Sequence, residues 1–277
     1  MIILAHDGSI YSDWVARYAI RIAASEQDRK LLLLHVQDGK ICPEVVESRL
    51  SMIASECDSF DVEFLPEHLS LGSSVYRSLR QAIPPSPDAL FICGTRVKSR
   101  KNHYLAGSVA EKLLRMHECP ILALRVVQPG LLGSPHDLLL PLAGHLQGFS
   151  RVEPILRRLA TQLRSVHVCR IMQVNSLRHP HLSPDMEHIL KRKGSSFLSK
   201  FRFEMEATLD PMPFRCDQKV IISPDWAHEV LMQANRLKAQ LLLLGLSERS
   251  LAYRVLHSAA IEKILHETPC DIGIYRG

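Results

Sequence analysis

The sequence predicts an α/β protein built from two similar domains, each an open parallel sheet with helices on both faces. Three observations predict this. Strand-like and amphipathic segments alternate along the chain, the order that βαβ crossovers generate. The strand-like segments LLLLHV (31–36) and ALFICG (89–94) are almost continuously apolar, as strands covered on both faces are. Finally, LLLLGL (241–246) follows LFICGT, and IEKIL (261–265) follows AEKLL (110–114), at a single offset of 151 residues that also carries Gly94 to Gly245 and Cys119 to Cys270. Chance alignment of apolar runs does not predict a shared Glu-Lys pair, a glycine and a cysteine together, so the chain reads as an internal duplication.

The first half opens with the strand IILAH (2–6). A helix follows over 12–25, where Val15, Tyr18, Ala19, Ile22 and Ala23 form a stripe of 3.6-residue period. LLLLHV is the next strand. Pro43 suits the first turn of a helix over 43–57, because no backbone N–H is needed there. The segment VEFLPEHL (62–69) has an interrupted apolar pattern, and a helix over 73–83 leads into ALFICG. A basic loop, a helix over 108–117 and the strand PILALRV (120–126) complete the unit. VQPGLLGSPH (127–136) is rich in Pro, Gly and Ser and reads as the linker. The domains are accordingly expected at 1–127 and 136–277.

The second half repeats the plan with DLLLPLAG (137–144), a helix over 150–164 and SVHVCRIMQV (165–174). Its middle segment is longer and holds a helix over 184–203 with many Lys and Arg.

Length and composition bound the functions. The 277 residues accommodate about two domains. A mean hydropathy of +0.01 describes a globular chain. A net charge of +5 permits an anionic ligand without indicating a nucleic-acid protein. Seven cysteines are scattered with no CxxC, and several lie within apolar runs. Buried free thiols in a reducing compartment explain them better than a disulfide framework. The opening MIILAHDGS lacks a basic leader region, and no run approaches the roughly eighteen apolar residues of a membrane span. A cytoplasmic protein with neither nucleic acid nor membrane as partner is expected.

In doubly wound sheets, ligands sit beyond the carboxyl ends of the strands, where the strand order reverses. The loops after IILAH and ALFICG are therefore the places to look. GTRVKSRKNHYLAGSVAEKLL (94–114) leaves its strand at Gly94 and enters its helix at Gly107-Ser108. Glycine lets backbone N–H groups approach an anion, and a helix N-terminus favours phosphate. Arg96, Lys98, Arg100 and Lys101 add positive charge between them. The other loop is HDGS (6–9). Each residue also has a plain structural reading. Ser108 and Glu111 make an S-x-x-E capping box, Gly94 suits a tight strand exit, Asp7 suits an Asx turn closed by Gly8, and Val36 suits a core strand.

On these residues the chain resembles the universal stress proteins. Members that bind ATP carry a glycine, two residues, a second glycine, nine residues, then Gly followed by Ser or Thr. Gly94, Val97, Gly107 and Ser108 stand at those positions, with valine in place of the second glycine. The resemblance implies Rossmann-like (adenine-nucleotide alpha hydrolase-like) domains with five-stranded parallel sheets, paired as an intramolecular pseudo-dimer, and it leaves room for a homodimer. It implies a stress-response protein holding ATP as a regulatory ligand, with Mg2+ only as the nucleotide's counter-ion. The implied contacts are Asp7, the main chain of Val36, Gly94, Arg96, Gly107 and Ser108.

The second repeat has lost this set. Val97, Gly107 and Ser108 correspond to Glu248, Ser258 and Ala259, and Asp7 corresponds to Ala143. A carboxylate at 248 would repel a polyphosphate, so a nucleotide site is expected only in the first half. His179, His181, Asp185 and His188 cluster in RHPHLSPDMEH (178–188) without a metal-ligand spacing, and a polar connection explains them. No nucleophile–base motif appears, so catalysis is not expected. The alternatives are a scaffold of the same fold that binds no nucleotide, which Val97 favours, and a slow ATP hydrolase.

Overall fold

The computed structural model describes residues 1–84, 86, 88–95, 105, 108–116, 118–142, 148–177, 179–245 and 259–277. The chain divides into two compact units. One comprises Met1–Ser134 with Gly273–Gly277, and the other Pro135–Gly245 with residues 259–272. The class is α/β, with parallel strands alternating with helices.

The first unit runs β1 (Ile2–Ala5), α1 (Ile10–Ser25), β2 (Lys30–Gln37), α2 (Pro43–Ser59), β3 (Glu63–Ser70), α3 (Val75–Ala82), β4 (Leu90–Gly94), α4 (Val109–Leu114) and β5 (Ile121–Arg125). Its strands lie in the order β3-β2-β1-β4-β5, and every pairing is parallel. The chain starts in the middle of the sheet, builds outward one way to β3, then returns to β4 on the other side of β1. That reversal is the switch point, and it brings the ends of β1 and β4 side by side. α1 packs on α2, and α3 on α4. Right-handed crossovers put these two pairs on opposite faces.

Burial explains the composition of each strand. Ile2, Ile3, Leu4, Leu31, Leu33, Leu90, Phe91 and Ile92 have no exposed surface, as strands covered on both faces require. β3 is the edge, where Pro66 costs the ladder little; this accounts for its interrupted pattern. The predicted stripe of α1 is wholly buried. The helix begins at Ile10 rather than at residue 12. Ser9 is its N-cap, with extended dihedrals and Oγ accepting from Ser12 N. Ile10 is 49% exposed, so the apolar stripe could not reveal the first turn.

The linker is fixed to its own unit. A 3-10 turn (Pro129–Leu131) leads to Gly133 at φ +72°, where a Cβ would lie 2.5 Å from the backbone of Arg17 and Tyr18 in α1.

The second half of the chain runs β6 (Asp137–Leu142), α5 (Glu153–Leu159), β7 (Ser165–Gln173), α6 (Pro184–Thr208), β8 (Arg215–Ser223), α7 (Trp226–Arg236), β9 (Leu241–Gly245), α8 (Ala259–Glu267) and β10 (Asp271–Arg276), of which Asp271 and Ile272 belong to the second unit. Its sheet repeats the order, with β8, β7 and β6 followed by β9 and then β10. Helix α6 continues five residues past the expected end because its buried line of Gly194, Leu198 and Phe201 extends to Met205. At Gly194 a Cβ would meet Val220 at 2.5 Å, so α6 lies hard against β8.

Sheet register defines the equivalence of the two units. Ile2 pairs with Leu90 and Leu31, and Leu138 pairs with Leu241 and Val166. Four residues further along each strand, His6 corresponds to Leu142 and His35 to Arg170. The two units share one contact there. His35 Nδ1–H donates to the His6 carbonyl at 2.9 Å, and Arg170 donates to the Leu142 carbonyl at 3.0 Å.

Candidate functional site

The turn between β1 and α1 is built by short polar side chains. Asp7 Oδ1 accepts from Ser9 N at 3.0 Å, Ser9 Oγ at 2.5 Å and Ser12 Oγ at 2.6 Å. Ser12 Oγ in turn accepts from Asp7 N at 3.2 Å. The Asx-turn reading of Asp7 is therefore correct as far as it goes. The same carboxylate also lies at the surface and lines a crevice. Gly8 turns at φ +78°, and a Cβ there would come within 3.1 Å of Ile41 and Val46.

Behind the turn lies His6, whose side chain has no exposed surface. Its Nδ1 accepts from Gly8 N at 3.1 Å, which leaves the proton on Nε2. Nε2–H donates to Asp13 Oδ1 at 3.0 Å, and Asp13 Oδ2 pairs with Arg49 of α2. A chain of polar contacts thus joins α2, α1 and the end of β1.

The crevice has a volume of about 470 Å³ and opens at the carboxyl ends of β1, β2 and β4. Asp7, Val36, Gly94 and Ser108 all line it, as do His6, Thr95 and the aromatic pair Tyr11 and Trp14. The two rings meet edge to face at 4.9 Å. Val36 is buried, and its carbonyl takes Asp38 N–H at 2.9 Å, leaving a second lone pair. Gly94 is exposed, and a Cβ there would meet only Val15, at 3.5 Å. Ser108 caps α4 by accepting from Glu111 N at 3.0 Å, and its own N–H goes to the Leu105 carbonyl at 2.9 Å. An accepting hydroxyl keeps a proton to donate. Asp38 and Lys40 pair on the β2 side. Burial pushes the Asp38 carboxyl up, but its hydrogen bonds with Lys40 prevail and hold it below the usual range. Cys93 lines the floor, where burial pushes its thiol up to about 12.

Four of the six expected contact residues therefore share one crevice at the switch point. Arg96 and Gly107, with Val97, lie outside the described residues. So do positions 143, 248 and 258 of the second unit. Among the described residues no group of three or more His, Cys, Asp or Glu side chains could hold a metal ion. Among them also, no helix is long and apolar enough to cross a membrane.

No protein-family model and no curated protein matches the chain. Solved structures match over nearly the whole length. A universal stress protein from Archaeoglobus fulgidus is 12% identical with a TM-score of 0.57, over 99% of this chain and 95% of that one. The chain has the universal stress protein fold, in tandem. A functionally unknown protein from Pseudomonas aeruginosa is also similar, at 13% identity and TM-score 0.58, over 99% of this chain and 92% of that one. The cytoplasmic domain of a prokaryotic cation chloride cotransporter matches at 10% identity and TM-score 0.57, over 99% and 94%. Identities this low speak to fold alone. What the universal stress protein fold explains here is why the polar turn, the Gly94 exit and the Ser108 cap meet beyond the carboxyl ends of two neighbouring central strands, β1 and β4.

His6, Asp13 and Arg49 were not singled out from the sequence. A histidine ending an apolar strand carries no ligand signature. Arg49 lies 36 residues from Asp13 and on another helix, so no periodicity links them.

Proposed function

We propose that the first unit of this chain binds an adenine nucleotide, ATP with Mg2+ as its counter-ion, as the regulatory ligand of a stress-response protein of the universal stress protein family. The observation that carries the proposal is the convergence of Asp7, Val36, Gly94 and Ser108 on one crevice. Its volume of about 470 Å³ falls in the range of small-molecule sites, roughly 300–1,000 Å³. The switch point is also where open α/β sheets take ligands. Asp7 supplies a polar contact beside the turn, and Val36 offers a backbone carbonyl to an exocyclic amine. Gly94 lets a phosphate approach the backbone, and Ser108 donates its hydroxyl proton to it. Arg96 and Gly107 are proposed as further contacts, on the sequence alone. The proposal includes a cytoplasmic location and domains at 1–127 and 136–277.

A second reading is a scaffold of the same fold that carries no nucleotide. Val97 favours it, because a branched side chain stands where ATP-binding members have glycine. The test is calorimetric titration of the full chain with MgATP at fixed ionic strength, since a basic loop makes salt matter. Mass spectrometry of small molecules released on denaturing the purified protein accompanies it. Saturable binding, or release of an adenine nucleotide, supports the proposal. No binding at millimolar MgATP and no released nucleotide would leave the scaffold.

A further inference from the structure

We infer that His6 is a positioning residue for this crevice: its buried ring sets the Asp7–Gly8–Ser9 turn by accepting the Gly8 N–H, and is itself held by Asp13 and Arg49. The inference rests on the nucleotide reading of the crevice for its consequence, and on the geometry of the ring for its substance.

Three observations converge. The ring is fully enclosed, and both nitrogens are engaged in different senses, Nδ1 accepting from Gly8 and Nε2 donating to Asp13. Gly8 has no freedom on its other side, where Ile41 and Val46 leave room for no Cβ without adjustment. Asp7 lies between His6 and Gly8 in the chain, and its carboxylate is tied to Ser9 and Ser12. Its direction therefore follows the peptide that the ring holds. The contact runs from Arg49 through Asp13 and His6 to Gly8, so α2 is linked to the turn that carries the carboxylate.

The second unit supplies an internal comparison. The position of His6 is taken there by Leu142, which can accept no hydrogen bond through its side chain, and the position of Asp7 is taken by Ala143. The holding ring and the carboxylate it aims are absent together.

The test separates the two ring nitrogens. Asparagine carries its oxygen where histidine carries Nδ1, and glutamine carries its amide nitrogen where histidine carries Nε2. His6→Asn therefore retains an acceptor for Gly8 and gives up Asp13, whereas His6→Gln retains the donor to Asp13 and gives up Gly8. MgATP affinity is measured by calorimetry on the full chain. Gly8 amide exchange is followed by NMR, and each variant is melted. His6→Asn is expected to bind within about twofold of wild type. His6→Gln is expected to bind about tenfold more weakly, with faster Gly8 exchange, as the loss of one buried hydrogen bond implies. Wild-type affinity in His6→Gln, or equal losses in both variants that track their melting temperatures, overturns the positioning role. Should His6→Gln fail to fold, loss of binding in His6→Asn does the same. If wild type itself binds no MgATP, the nucleotide reading falls. Gly8 exchange then decides the role alone, and equal rates in wild type and His6→Gln overturn it.

Discussion

Replacing Gly133 by alanine tests whether the linker is fixed to the first unit or merely passes by it. Gly133 sits at φ +72°, and an added Cβ would lie 2.5 Å from the Arg17 carbonyl carbon and the Tyr18 nitrogen and 2.7 Å from the Arg17 oxygen. All three are backbone atoms of α1, whose neighbouring Tyr18 and Ala19 are at most 1% exposed, so the helix cannot step aside. The left-handed conformation costs a non-glycine residue about 1–2 kcal/mol. Forcing a methyl group into occupied space costs about 1–3 kcal/mol. The combined loss is about 3 kcal/mol, which for a chain of this size lowers the melting temperature by roughly 6–12 °C. Gly130→Ala is the control. It lies in the same linker, and a methyl group added there would have nothing within 4 Å. It is expected to change stability by less than about 0.5 kcal/mol. Differential scanning calorimetry of the three proteins decides. A Gly133→Ala melting temperature within about 1 °C of the Gly130→Ala value would refute the docking of the linker on α1.

Other expectations concern the crevice, a helix cap and the thiols. Gly94→Ala should fold normally, because its methyl meets only Val15 at an ordinary 3.5 Å, yet weaken MgATP about threefold to tenfold by holding the ligand off the backbone. Equal affinity in a calorimetric titration would remove Gly94 from the site. Asp225 caps α7 through His228 N at 3.0 Å, and chiefly that bond holds its carboxyl below the usual range. A depressed folded-state value means that the stabilisation is present at neutral pH and is lost as pH falls through that value. Asp225→Ala should thus cost about 1 kcal/mol at pH 7, and denaturant melts should show the gap closing in acid below the ordinary carboxylate range. A gap that persists there would rule out the charged cap. Cys42 is exposed, whereas burial pushes Cys57 and Cys93 up to about 12. Alkylation of the native chain near pH 8, mapped by mass spectrometry, should mark Cys42 first and leave Cys57 and Cys93 until unfolding. Labelling of Cys93 as fast as Cys42 would contradict its enclosure.

The fold was readable from the sequence wherever burial is symmetric. β2 and β4 are covered on both faces and announce themselves as apolar runs, and α1 faces the core with one stripe. Elements with one wet side were harder. β8 alternates exposed and half-buried residues, RCDQKVIIS, and no segment was assigned to it. Helix α7 has four buried residues, one of them Gln233, so its stripe is thin. In the crevice, residues at strand ends and helix caps were readable because their chain positions imply their location. The ring of His6 and its partners were not, because a contact between a strand end, one helix and the next has no spacing of its own. Gln233 and His6 mark the same limit: a buried polar side chain is explained by its partners, and the partners are remote in sequence.

The carbonyl contact shared by His35 and Arg170 has a different consequence in each unit. A guanidinium presents five donors in a fixed fork and needs no choice among them. An imidazole must choose which nitrogen carries its hydrogen. In the first unit two such choices meet at His6. His6 must keep Nδ1 bare to receive Gly8, and His35 must keep Nδ1 protonated to reach the His6 carbonyl. Of the neutral tautomer pairings open to the two rings, one alone satisfies both. The carboxyl ends of β1 and β2 are therefore set by the placement of two hydrogens, and the corresponding strand ends of the second unit, at Leu142 and Arg170, carry no such combination to set.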